Sequence, residues 1–158
     1  MKRGSRLLRE AGFRWIGVEA GEYKPKGSDF FLTTKQILLG LGDRSAGLSF
    51  ETRYLEIQPG GYSTLEKHAH AHAVVVLRGH GRVILDQEIC ELSPLDCLYV
   101  APGCIHQFHA TGDEALGFLC IVDRNRDRPR SPSPRELDRL RSDTRVAALM
   151  KTSTDRRP

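Results

Sequence analysis

Glu66, His68, His70 and His72 stand at every second position of the stretch Glu66-Lys67-His68-Ala69-His70-Ala71-His72. Strand side chains alternate between faces, so in an extended segment all four groups project to one side. Imidazole is the commonest neutral metal ligand, and a carboxylate adds the negative charge that helps hold a divalent ion. A lone histidine is more often a surface or hydrogen-bonded residue. Four such groups in phase are read as metal ligation in preference to an exposed polar edge. His80, flanked by Gly79 and Gly81, and His109, out of phase with His106, are expected at the surface.

The elements that must carry these groups read as strands. Phe30-Phe31-Leu32 and Gln36-Ile37-Leu38-Leu39 are short candidates ahead of a turn at Gly40-Leu41-Gly42-Asp43. From Leu48 onward, Phe50, Thr52, Tyr54 and Glu56 take one strand face, and Glu51, Arg53, Leu55 and Ile57 take the other. Pro59-Gly60-Gly61 then breaks the chain. Further strands are expected near residues 73–78, 82–85, 88–92, 97–100, 105–109 and 116–122, with Gly, Pro and Asp turns between them. No helical period occurs between 48 and 123, so the chain is expected to be all-β, a sandwich or barrel.

The composition changes after Val122. Residues 123–134 are charged and proline-rich and read as an extended arm. Ser133-Pro134-Arg135-Glu136 then has the form of a helix start, with a capping serine, a proline at the first position and a glutamate able to reach back. Leu137 and Leu140 give this helix an apolar edge, and Ser142-Asp143 can cap a second turn carrying Val146, Leu149 and Met150. The expected organisation is an N-terminal arm with lead-in strands over 1–47, a barrel over 48–123, and a basic arm with short helices over 124–158.

At this point the sequence resembles the cupin superfamily over roughly residues 48–123. The family's first motif, G-x5-H-x-H-x3,4-E-x6-G, is matched in spacing by Gly60-x5-Glu66-x-His68-x3-His72-x6-Gly79, with Glu and His exchanged at the two ends of the ligand set. Its second motif, G-x5-P-x-G-x2-H-x3-N, finds Leu95, Ala101, Gly103, His106 and Ala110 at the corresponding places, with Pro102 one position late. The resemblance implies a double-stranded β-helix, or jelly-roll barrel, here with a short C-terminal helical extension. It also implies the ligand set Glu66, His68, His72 and His106. His70 is excluded even though it shares their phase. Alternate residues on a straight strand lie about 6.6–6.8 Å apart, so four in a row cannot meet one ion without a bend. Cys120 alternates with Phe118 and is expected to point into the barrel, as a small core residue or beside the metal.

Length and composition exclude other classes. A chain of 158 residues suits one domain. The longest apolar run, residues 73–77, is far short of the ~20 residues of a membrane span. The basic start lacks a following apolar stretch, so no secretory signal is read and a cytoplasmic protein is expected. Cys90, Cys97, Cys104 and Cys120 form no C-x-x-C pair and are expected as free thiols. From Arg124 onward eleven Lys or Arg face five Asp or Glu, but no aromatic residue is interleaved to stack on bases, and no nucleic-acid partner is expected. With no His or Cys, that tail is also expected to be dispensable for metal binding, with truncation after Pro132 leaving metal content intact.

The functional expectation is a metal-dependent, oxygenase-like enzyme acting on a small organic molecule. A non-catalytic module binding a small molecule or metal is the alternative, and a regulator using its basic tail is a third reading. The cofactor is a divalent transition metal ion, Fe, Mn, Ni, Co, Cu or Zn, since imidazole and carboxylate suit them all. Long segments on either side of the barrel point to a homodimer that covers its edges by exchanging arms.

Overall fold

The structure is a computed structural model, and it describes residues 5–40 and 47–153. Part of the expected turn at Gly40-Leu41-Gly42-Asp43 lies outside the described residues. Nine strands precede two helices: β1 (Ala20–Glu22), β2 (Phe31–Leu39), β3 (Phe50–Tyr62), β4 (His72–Arg78), β5 (Gly81–Leu85), β6 (Glu88–Leu92), β7 (Cys97–Val100), β8 (His106–Ala110), β9 (Leu116–Asp123), α1 (Pro134–Arg141) and α2 (Thr144–Leu149). All strand pairs are antiparallel. The strands run β6-β5-β8-β3-β9-β4-β7, with β2 also bonded to β3, and the sheet curls into a barrel.

The two short lead-in strands expected before Gly40 are one strand, β2. Nor does Pro59-Gly60-Gly61 end β3. Phe31 faces Tyr62 while Thr33 faces Ile57, so the extra residues of β3 are absorbed in a bulge. Gly60 supplies the left-handed backbone there, with φ of +76°. The bend lets a single strand pair with β9 over residues 50–57 and then meet β8 through Tyr62 and His109. That link joins the two sides of the barrel. The alternation read in β3 places Leu55 and Ile57 in the core with Val74, Val76, Phe108, Leu116 and Phe118. Glu56, on the other face, is held by Arg14 at 3.2 Å and Arg78 at 2.7 Å.

The helical extension builds a second core. Ser133 and Glu136 form the reciprocal cap expected at the start of α1, and Asp143 caps α2. Leu140, Val146 and Met150 are buried against Leu65, Ile84 and Ile105 on the outside of the barrel. Helices on that surface explain why β8 is buried at every residue. They also overturn the expectation for His109, which is 5% exposed, with its Nε2 3.1 Å from Gln107 Oε1. Gln107 in turn is bonded to the backbone of Lys151 beyond α2. His80 is exposed, as expected.

Two measurements follow from this packing. Leu140→Ala should cost about 2–5 kcal/mol in urea unfolding, because it empties a buried site, whereas Leu7→Ala at the exposed N-terminal segment should stay within about 0.5 kcal/mol. Burial, with Lys151 adding to it, pushes the His109 imidazole down from 6.5 to about 4. Between those values the unfolded chain binds the proton and the folded chain does not, so stability is lost as pH falls through this window. In metal-stripped protein, His109→Gln should flatten part of that decline. An unchanged slope would show that His109 is not held neutral.

Candidate metal centre

His72 opens β4 and His106 opens β8, strands separated in the sheet by β3 and β9. His68 lies in the segment joining β3 to β4, and two ties place it. Glu66 and His106 exchange backbone hydrogen bonds at 3.1 and 2.9 Å, and Gly103 N–H donates to the His68 carbonyl at 2.7 Å. The turn of the second motif thereby fixes the loop of the first. The last glycine of the first motif is fixed by space: a Cβ on Gly79 would sit 2.2 Å from the Ala115 carbonyl oxygen.

The alternating segment is not a strand before His72. It bends at Ala69 and His70, and the bend is braced from the C-terminal arm. Asp127 accepts from the amides of Ala69 and His70 at 2.8 and 3.1 Å and lies 2.7 Å from His70 Nδ1. These bonds, the Ala69 amide first, hold its carboxyl down to about 2. Asp127 lies ahead of Pro132, so the truncation after Pro132 that is expected to spare metal binding keeps this brace.

His68, His72 and His106 converge. Their ring centroids form a nearly equilateral triangle with sides of 5.0, 4.9 and 5.0 Å, and one ligand atom from each lies within 4.8 Å of the others. All three are buried. His68 Nδ1 donates to the His70 carbonyl at 2.7 Å, and His106 Nδ1 donates to the Cys104 carbonyl at 2.9 Å. A carbonyl only accepts, so both rings carry their proton on Nδ1 and keep a lone pair on Nε2. His72 Nδ1 lies 3.1 Å from Cys120 Sγ, while its buried Nε2 has no hydrogen-bond partner. An orphaned buried nitrogen beside two free lone pairs fits a metal ion. Burial, then the neighbouring imidazoles, drives His72 down to about 2, and burial takes His106 to about 4. The set is therefore neutral and ready to ligate at pH 7.

Two other candidates stand beside this group. Glu66 is buried in the same cavity, but its carboxylate takes the Lys24 ammonium and lies 3.5 Å from the Tyr23 hydroxyl. His70 stacks on His68 at 3.7 Å and gives its Nδ1 to Asp127.

The cavity, of about 170 Å³, holds more than these residues. Lys24, Lys35, Arg53, Arg126 and Cys120 also line it. Arg53 Nη2 donates to Cys120 Sγ at 3.1 Å. Arg53 was visible in the sequence as a charge on the apolar face of β3. Lys24, Lys35 and Arg126 gave no such signal, because they come from segments outside the alternating pattern.

A curled antiparallel barrel with three converging histidines defines a β-barrel protein with a candidate metal centre. The chain belongs to the cupin superfamily. The pattern of the Cupin domain family matches residues 53–122. The 1-methylthio-D-xylulose 5-phosphate methylsulfurylase of Rhodospirillum rubrum is 42% identical over 142 residues, covering 89% of this chain and 88% of that protein. A cupin 2 conserved barrel domain protein from Rhodopseudomonas palustris is 40% identical, with a TM-score of 0.85 over 93% of this chain and all of that one. A cupin 2 domain-containing protein from Halorhodospira halophila is 45% identical, with a TM-score of 0.74 over 94% of this chain and 97% of its own. Among the described residues no helix is long and apolar enough to cross a membrane.

Metal content measured by mass spectrometry after purification should separate the candidates. His72→Ala or His106→Ala is expected to empty the site, and His70→Ala to retain most of the metal. Glu66→Gln should weaken binding without abolishing it, since Lys24 already shares that carboxylate.

Proposed function

We propose that this chain is a metal-dependent enzyme that removes a methylthio group from a small phosphorylated sugar, the kind of substrate named for its relative in Rhodospirillum rubrum. The observation that carries this reading is Cys120, whose Sγ lies in the same cavity as the histidine group, 3.1 Å from His72 Nδ1 and 3.1 Å from Arg53 Nη2. In this proposal His68, His72, His106 and Glu66 hold a divalent ion, which would supply Lewis acidity toward a substrate carbonyl.

Cys120 Sγ attacks the methylthio sulfur. A sulfur–sulfur bond forms, the bond from sulfur to the sugar carbon breaks, and its electron pair stays on that carbon, which takes up the proton lost by the thiol. Arg53 and His72 aim Sγ by the two hydrogen bonds they make to it. The barrel walls, including Phe108 and Phe118, keep bulk water from the carbon. The methylthio group is left on Cys120 as a methyl disulfide, and a small-molecule thiol releases it by exchange, leaving as its own methyl disulfide.

The test incubates the metal-loaded chain with 1-methylthio-D-xylulose 5-phosphate and a small thiol, with and without dioxygen. Equal release of dethiolated sugar in both atmospheres is expected, together with a methylthio adduct at Cys120 when the thiol is withheld. Cys120→Ser should abolish turnover while leaving metal content unchanged. The oxygenase-like reading rests on the three histidines, which leave positions open on an ion, and it requires dioxygen uptake. Binding of the sugar without turnover in either atmosphere would favour the non-catalytic alternative.

A further inference from the structure

The cavity that holds the histidine group also gathers four cations, Lys24, Lys35, Arg53 and Arg126. Two carboxylates offset part of that charge. Glu66 takes Lys24. Glu51, 1% exposed, places Oε1 3.0 Å from Arg126 Nη2 and 3.5 Å from Arg53 Nε. Two positive charges remain in excess. The Lys35 ammonium makes no hydrogen bond or ion pair among the described residues, and burial, with Arg53 beside it, lowers its pKa. Buried like charges repel each other, and nothing in the histidine centre requires them. An excess of two matches the dianion of a phosphate monoester, and arginine and lysine are the usual donors to its oxygens.

The sheet sets these groups in a row. Lys35 on β2 pairs with Leu55, two residues from Arg53 on β3; Arg53 pairs with Cys120 on β9; Cys120 pairs with Val74 on β4, two residues from His72. Three strand spacings of about 4.8 Å and an offset of four residues at about 3.3 Å each put Lys35 and His72 at opposite ends of a diagonal of about 20 Å along the sheet backbone, which the curl of the barrel shortens across the cavity. A ligand held at one end by its phosphate presents its other end beside Cys120 and the histidines.

We propose that Lys35, Arg53 and Arg126 form a phosphate subsite that anchors the phosphate end of a sugar monoester, with Glu51 positioning the two arginines. The proposal rests on the reading of the substrate above and assigns the residues that recognise it. It also gives Arg53 two tasks, one guanidinium serving both the phosphate and the Cys120 sulfur.

Calorimetry on the full chain tests it with three probes: a five-carbon ketose 5-phosphate, the same ketose without phosphate, and inorganic phosphate. The phosphate ester should bind and the free ketose should not. Inorganic phosphate should compete, more weakly than the ester. Lys35→Gln should weaken the ester by about tenfold to a hundredfold, Lys35→Arg should restore it, and His72→Ala should leave inorganic phosphate binding unchanged. Lys35 is half-buried and its ammonium is unpaired, so its variants are expected to keep the fold, with circular dichroism as the check. Ester binding within twofold of wild type in Lys35→Gln would overturn the subsite. Turnover of the methylthio sugar with an unchanged KM in that variant would also refute the subsite while leaving the activity standing. Lys35-dependent ester binding without methylthio release would support the subsite and refute the activity.

Discussion

Three imidazoles share one small volume of protein interior here, and that is tolerable only because none of them carries a proton charge. Burial disfavours the imidazolium, and each ring next to another raises the cost further. The Nδ1 bonds to the His70 carbonyl, the Cys104 carbonyl and the Cys120 sulfur then decide which nitrogen of each ring faces inward. Everything else in the molecule serves this convergence. The bulge at Gly60 lets β3 reach β8 and bring His106 across from His72. The exchanged amides of Glu66 and His106 hold the loop of one motif against the strand of the other.

Much of this was legible in the sequence. Alternation of apolar residues gave the strands from β3 to β9, and glycine and proline gave most of their turns. The Ser133 cap and the apolar edge of α1 were equally clear, because a capping box has few other uses. The reach of the histidine segment was harder. Its period of two reads as a strand, yet Glu66 to Ala71 is a bent connection. The bend depends on Asp127, more than fifty residues away, and no local pattern announces such a partner. His109 was misplaced for a similar reason. A strand's outward face reads as solvent until a later helix covers it, and here α2 and the Lys151 backbone do so.

The basic residues show the same limit from another side. Their number misled at the level of the whole chain, where the tail dominated the count. Among the described residues most of the tail arginines face solvent, but Arg126 turns into the cavity beside Arg53. Three of the four cations that enter the barrel come from the segment before β2, from β2 and from the arm after β9, all at the margins of the region where the motifs sit. Arg53 alone could be suspected beforehand, since a guanidinium on an apolar strand face must find an anion or a sulfur to satisfy it.

The brace at Asp127 has one further meaning. The stretch shared with the wider family, residues 53–122, contains all three converging histidines, Arg53 and Cys120, but not Lys24, Lys35, Arg126 or Asp127. The histidine centre, Cys120 and Arg53 thus lie inside that stretch, while Lys35 and Arg126 of the proposed phosphate subsite lie outside it. Kinship across the barrel alone is therefore a sound guide to what the centre can bind, and a poor one to what it serves.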